Sequence, residues 1–370
     1  MPNSASGQSR NSPRLAILGG GIIGLSAARE LAARGAHVTV FEKQQPGRGA
    51  SWAAAGMLAP AYEAATEPGG HPRLFELCMR SAAMWGAFAA ELKKASGREI
   101  GYRPGPSFAV ATTEGELTRL DEICRELKAH GLPVLKMSAK RLQAIDPSIG
   151  PSVKLGLQLA SDGHVDNRSV IGALVHMCER SPHVEIRTDV EITDLGALHA
   201  DYDAVICTAG WQTRKLLPAA ESIQPIAGQM LSVAAMSGGP SHTIRCGATY
   251  IVPKGGRVII GATMEYDFIR RDTDAASIET LKRAAAELCP ILGEAETMDT
   301  WAGVRPGTPD HAPMIGPSGE ANVFVAAGHY RNGILLAPIT AKIIADMVLD
   351  GVTSDLAAAF SPNRFVEAAL

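Results

Sequence analysis

Three observations in the 370-residue sequence predict an α/β protein made of two interleaved parts. A glycine-rich turn lies between a strand signal and a helix signal near the N-terminus. Strand signals of antiparallel style, joined by tight turns, fill the stretch from about residue 223 to residue 260. The strand-then-helix style of the beginning returns after residue 320. The first and third observations describe a Rossmann-like domain; the second describes an α+β domain with a mostly antiparallel sheet.

Leu15-Ala-Ile-Leu18 is a short apolar strand, followed by Gly19-Gly-Gly21-Ile22-Ile23-Gly24 and a helical pattern running to Arg34. A second strand, His37 to Phe41, ends in Glu42 and Lys43. In this G-x-G-x-x-G spacing the first glycine makes the turn and the second lets the backbone approach a pyrophosphate. The third lets helix pack on strand. The helix N-terminus then faces phosphate charge. Glu42, 18 residues beyond Gly24, stands where a carboxylate accepts hydrogen bonds from an adenosine ribose. Strand, turn, helix and acid together predict a dinucleotide site.

Further along, Arg73 to Ser96 and Glu116 to His130 carry apolar residues at helical spacing, and Gly131 suits a helix stop. Asp166 or Asn167 caps a helix running to about Glu179. Val184 to Ile192 and Asp203 to Thr208 read as strands, the latter ending in Ala209-Gly210-Trp211 at a strand's C-terminal edge. Gln224 to Val233, Thr249 to Val252 and Arg257 to Ile260 are strands, with Pro253-Lys-Gly-Gly256 as a turn. A helix from about Asp274 to Leu288 follows, and Asn322 to Ala327 is the strand before the last long helix. The expected division is 14–90, 150–220 and 303–365 for the cofactor domain, and 91–149 and 221–302 for the substrate domain. Residues 1–13, polar and without an apolar stretch, are expected to form a disordered tail.

Composition excludes several function classes. A formal net charge of -3 gives no general attraction to nucleic acid or an anionic membrane. The six cysteines show no metal-ligand spacing and suit a reducing, cytoplasmic setting without a metal site. The apolar run Gly333 to Leu349 is broken by Lys342 and Asp346, four residues apart, as in an amphipathic helix rather than a membrane span. Such helices leave room for a homo-oligomer.

Two C-terminal motifs locate the chemistry. Trp301-Ala-Gly-Val-Arg305-Pro-Gly-Thr308 places an arginine after an apolar run, where its guanidinium needs an anion: a substrate carboxylate or an internal acid. Gly328-His329-Tyr330-Arg331-Asn332-Gly333-Ile334-Leu335 opens a helix whose N-terminus favours negative charge.

These motifs, with Gly49-Ala50-Ser51 and Ala55-Gly56-Met57 after the ribose acid, resemble the D-amino-acid oxidase and sarcosine oxidase family of FAD-dependent amine oxidases. The likeness runs through nearly the whole chain after residue 13 and is strongest toward members that oxidise glycine. It implies FAD rather than NAD, held noncovalently because Arg305 to His311 contains no cysteine. Small residues at Gly49, Ala50, Ser51, Ala55 and Gly56 would let an extended backbone lie against the flavin. The resemblance further implies that His329 to Leu335 contact FAD and that Val190 gives a backbone contact on the adenosine side. It places Arg305 and Tyr250 on the substrate carboxylate and makes Met57 and Met264 pocket walls, although a methionine is otherwise core filler. Arg331 either acts on the substrate or holds its loop.

The implied reaction is hydride transfer from a small amino acid without a side-chain acid or base, with dioxygen as electron acceptor. Peroxide, ammonia and glyoxylate are the products, and the imine can pass to a thiazole synthase in thiamin formation. Oxidation of sarcosine, D-amino acids or N-alkyl glycines, and a quinone-linked dehydrogenase, share the same motifs. Where the family pattern has a histidine two residues before the sheet tyrosine, this chain has Ala248, leaving the amine end open.

Overall fold

In the computed structural model, residues 12–66 and 70–367 are described, so most of the expected tail lies outside them. Among the described residues, a six-stranded sheet runs in the order Met314–Pro317, Val323–Ala327, Ala204–Cys207, Arg14–Leu18, His37–Phe41, Val184–Arg187. All neighbours are parallel except the first pair. Its strands read as continuous apolar runs because helices cover it. The helices Ile22–Ala33, Leu74–Ser96, Asn167–Arg180 and Gly333–Asp350 pack around one apolar core with it.

The last of these helices is nearly engulfed: Lys342 and Asp346 pair at 2.6 Å on its exposed side, while most other positions are buried. The cap expected at Asp166 forms, its carboxylate accepting from the amides of Arg168 and Ser169, and Asp274 also caps its helix by accepting from the Ser277 amide.

A second, nine-stranded sheet is centred on Gln224–Ala234, which pairs antiparallel with Thr297–Gly307 along ten register positions. Its other strands include Arg257–Gly261, Thr249–Lys254, Ile244–Cys246, Ser107–Ala111, Leu155–Leu159 and Leu135–Ser138. Three expectations need correction. The turn between Thr249–Lys254 and Arg257–Gly261 is only Gly255-Gly256, because Lys254 pairs with Arg257 in the ladder. The strand expected to reach Ile192 stops at Arg187, and Asp189 then takes a left-handed φ of 59°. Leu155–Leu159, expected in the cofactor segments, lies in the second sheet, and Thr297–Gly307 crosses the boundary placed at 302/303.

Candidate functional site

A cavity of about 990 Å³ opens at the carboxyl ends of the parallel strands, where Leu18, Gly19, Glu42, Thr208, Gly210 and Gly328 line it. The glycine turn explains its floor. Gly19 has φ 110°, and a side chain there would lie 2.7 Å from the Thr208 carbonyl oxygen. Gly24 does not line the cavity; a Cβ on it would strike the Gly19 carbonyl and come within 2.6 Å of Thr208 Oγ1, so this glycine sets how closely helix approaches strand. Glu42 accepts hydrogen bonds from the amides of Gly20 at 2.8 Å and Gln44 at 3.0 Å, which fixes its carboxylate at the cavity edge. Beside it, the Val190 amide donates to the Glu42 carbonyl, and the early end of the preceding strand brings Val190 onto the cavity wall.

The Ala/Gly segment differs from expectation. Ala50–Ala53 is a short helix rather than extended chain, and Ser51 Oγ accepts from the Ile22 amide at 3.0 Å. Ala50 and Ser51 line the cavity, as do Ile22, Ile23 and Lys43. Ala55 and Gly56 do not: a Cβ on Gly56 would point into the Val165 carbonyl and lie 2.6 Å from Lys254 Nζ. Gly56 therefore serves packing behind the wall.

On the opposite side, His329, Tyr330, Arg331, Gly333 and Ile334 line the cavity. Asn332 and Leu335 turn away. Leu335 is buried, and its carbonyl accepts from Trp85 at 2.8 Å and Ser81 at 2.6 Å. The helix from Gly333 has neither a side-chain cap nor an acidic residue in its first turn, nor does the helix from Ile22. Both N-termini thus present uncompensated positive ends to this space, which fits a ligand carrying negative charge at two separated places. Burial lowers the His329 pKa to about 3, so the imidazole is neutral beside Thr340 Oγ1, 3.0 Å away.

The expected substrate residues form a second group beside the cavity. Arg305 lies on Thr297–Gly307, opposite Ile226, and reaches the carbonyls of Ala227 and Thr263 only at 3.4 Å. Among the described residues no carboxylate comes within ion-pair range of it, so the internal salt bridge is not what holds it. Gly228 makes its room: a Cβ there would sit 2.7 Å from Arg305 Nη2 and 2.6 Å from the Thr263 carbonyl. Tyr250 lies over Gly261 and donates to Met230 Sδ at 3.0 Å. Burial raises the Tyr250 pKa, opposed chiefly by the adjacent Arg305 guanidinium. Met264 joins the two groups, its sulfur 3.2 Å from Tyr330 Oη and 3.3 Å from Arg331 Nη2. Ala248 stands exposed in the Gly247-Ala248 turn between Ile244–Cys246 and Thr249–Lys254.

Sequence reasoning missed a buried cluster around Met57. Arg245 Nη1 donates to Glu63 Oε1 at 2.8 Å, and Arg245 Nη2 reaches Met57 Sδ at 3.0 Å. Glu63 Oε2 lies 3.8 Å from Arg331 Nη1. Glu63 and Arg245 are 182 positions apart, so no local spacing relates them. The cysteines supply no nucleophile. All six are buried and free, and burial pushes the Cys178 and Cys207 thiols up to about 12.

Comparison with known proteins shows the family of the chain. Residues 14–347 match the family model described as "DAO: FAD dependent oxidoreductase". The chain is similar to the bifunctional protein ThiO/ThiG of Synechocystis sp. (strain ATCC 27184 / PCC 6803 / Kazusa), 36% identical over 95% of this chain and 54% of that protein. It therefore spans about half the length of this bifunctional relative. It is also 33% identical to a glycine oxidase of Geobacillus kaustophilus (strain HTA426), over 95% of this chain and 97% of that one. The crystal structure of glycine oxidase from Geobacillus kaustophilus superposes with a TM-score of 0.87 at 32% identity, covering 95% of this chain and 99% of that chain.

Proposed function

Because the chain belongs to the DAO family of FAD-dependent oxidoreductases, we propose that it oxidises glycine, with water and dioxygen, to glyoxylate, ammonia and hydrogen peroxide. The observation that carries this reading is Arg305. Its guanidinium has no carboxylate partner among the described residues, stands beside the Tyr250 hydroxyl, and occupies space that Gly228 leaves open. A planar fork with free donors matches a substrate α-carboxylate bidentately.

When bound, FAD supplies the two-electron acceptor that dioxygen regenerates. The chain's own contribution is placement. Arg305 and Tyr250 fix the carboxylate, Met264 and Tyr330 close the wall between substrate and cofactor groups, and the uncapped helix at Gly333 favours negative charge on the cofactor side. With His329 neutral at its buried position and every thiol buried, the reading assigns no side chain as acid or base. The amine proton leaves to solvent before the substrate C–H bond breaks.

The alternatives, a quinone-linked dehydrogenase or an oxidase of other amines, are less favoured, because the relatives of at least 30% identity that the chain covers almost whole are glycine oxidases. Among the described residues no helix is long and apolar enough to cross a membrane, which is compatible with a cytoplasmic place of action. The bifunctional relative joins ThiO to ThiG in one chain, which supports delivery of the imine product to a thiazole synthase. A peroxide-coupled assay with glycine tests the reading through Arg305→Ala. Losing two charge-assisted hydrogen bonds is expected to raise KM by about 10²-fold or more while FAD stays bound. Unchanged kinetics would remove Arg305 from the site and with it the reading.

A further inference from the structure

We infer that Arg245 reads a second acidic group on the substrate, so that the site takes dicarboxylic amino acids in preference to their uncharged counterparts. The inference rests on the proposed amino-acid oxidation and specifies its substrate class. Arg245 is 4% exposed and sits directly across from Tyr250 in the ladder between Ile244–Cys246 and Thr249–Lys254, so both side chains share one face of the sheet.

Its donors are unequally used. Nη1 is taken by Glu63 Oε1, Nη2 meets only the Met57 thioether, a weak acceptor, and Nε has no partner. The guanidinium lies 4.3 Å from the Tyr62 ring centre. Glu63 is shared: its other oxygen faces Arg331 at 3.8 Å and accepts no hydrogen bond. The neighbouring acid, Asp162, is occupied by the amides of Ala61 and Tyr62 at 2.9 and 3.0 Å.

A buried guanidinium with idle donors is costly, and an apolar side chain among Met57, Tyr62 and Tyr250 would serve the fold without that cost. An anionic oxygen arriving with the substrate satisfies the donors. Pairing carries Arg245, Tyr250, Gly261, Met230 and Trp301 across one face of the sheet, and Arg305 lies four residues along the last strand, so Tyr250 stands between the two arginines. With the α-carboxylate on Arg305, a second carboxylate would fall to Arg245. Beyond Tyr62, whose hydroxyl meets the Gly247 carbonyl at 3.4 Å, the turn carries only the methyl of exposed Ala248.

Oxidation of N-(carboxymethyl)glycine would transfer two electrons and two protons from a carbon–nitrogen unit to dioxygen, giving peroxide. Water then splits the C=N bond into glyoxylate and glycine.

The test compares initial rates of flavin reduction, without oxygen, for two acid and amide pairs: N-(carboxymethyl)glycine against N-(carbamoylmethyl)glycine, and D-aspartate against D-asparagine. In the FAD-loaded enzyme at least one acid should exceed its amide by about tenfold or more in kcat/KM. That ratio should fall to about one in Arg245→Met combined with Glu63→Gln, which leaves no buried carboxylate unpaired, and should persist in Arg245→Lys. Equal rates for both pairs, or a ratio surviving the double substitution, would overturn the inference. If glycine is oxidised while neither pair is discriminated, only this inference falls; if no amino acid reduces the flavin, the proposed function falls with it.

Discussion

Replacing Gly228 by alanine should damage substrate binding without touching the cofactor site. The new Cβ would lie 2.7 Å from Arg305 Nη2 and 2.6 Å from the Thr263 carbonyl oxygen. Both contacts are too close to stand, so the guanidinium must move and the Thr263 backbone must give way as well. Arg305 Nη1 lies closer still, so restoring an ordinary contact of about 3.4 Å requires a shift of about 1 Å. Among the described residues Arg305 is held by long hydrogen bonds to two carbonyls, so the movement is permitted but takes the fork out of register with a carboxylate. Misplacement by about 1 Å costs on the order of 10²-fold in rate, so kcat/KM for glycine should fall by about 30- to 100-fold. Steady-state peroxide assays measure this, with the absorbance of bound FAD as the control. Wild-type kcat/KM in a FAD-replete variant would refute the placement of Arg305.

Gly24→Val should give a protein purified without yellow colour, since the new side chain meets the Gly19 carbonyl and Thr208 in the turn beneath the cofactor; normal FAD content would contradict this. Tyr250→Phe should raise KM for glycine about tenfold, the effect of losing one hydrogen bond to a charged group, and an unchanged KM would take the hydroxyl out of substrate binding. Acid stability should depend on Asp146. Burial opposes its charge, but hydrogen bonds from His242, Ser148 and Ser241 outweigh this and hold its pKa well below the usual carboxylate range. Because the folded pKa is depressed, the stabilisation is complete above about pH 4 and is lost as pH falls further. In urea unfolding, Asp146→Asn should cost about 3 kcal/mol at pH 7 and progressively less below pH 4; a gap independent of pH would contradict the sign.

The cofactor side of the site was legible because its signals are local. A turn, a strand end and a helix start each reveal themselves within a few residues, and Gly19, Glu42, Gly210 and His329 all line the cavity. The substrate side depends on chain segments brought together only by the second sheet. Gly228 and Gly261 look like ordinary strand glycines until the Arg305 guanidinium and the Tyr250 ring lie over them. Glu63 and Arg245 meet from a short helix and a three-residue strand, neither of which announces a partner. Short strands such as Ser107–Ala111 and Leu155–Leu159 escaped because an apolar run of that length does not distinguish strand from helix. Gly56 shows how a glycine signal can have a packing cause: a Cβ there would meet the Val165 carbonyl.

The most direct test of the central claim is anaerobic titration of the FAD-loaded protein with glycine, followed by admission of air. Glycine oxidation predicts loss of the flavin absorbance, then its return with one peroxide and one glyoxylate formed per flavin. A yellow protein whose absorbance is unchanged by glycine or any other amino acid would contradict it.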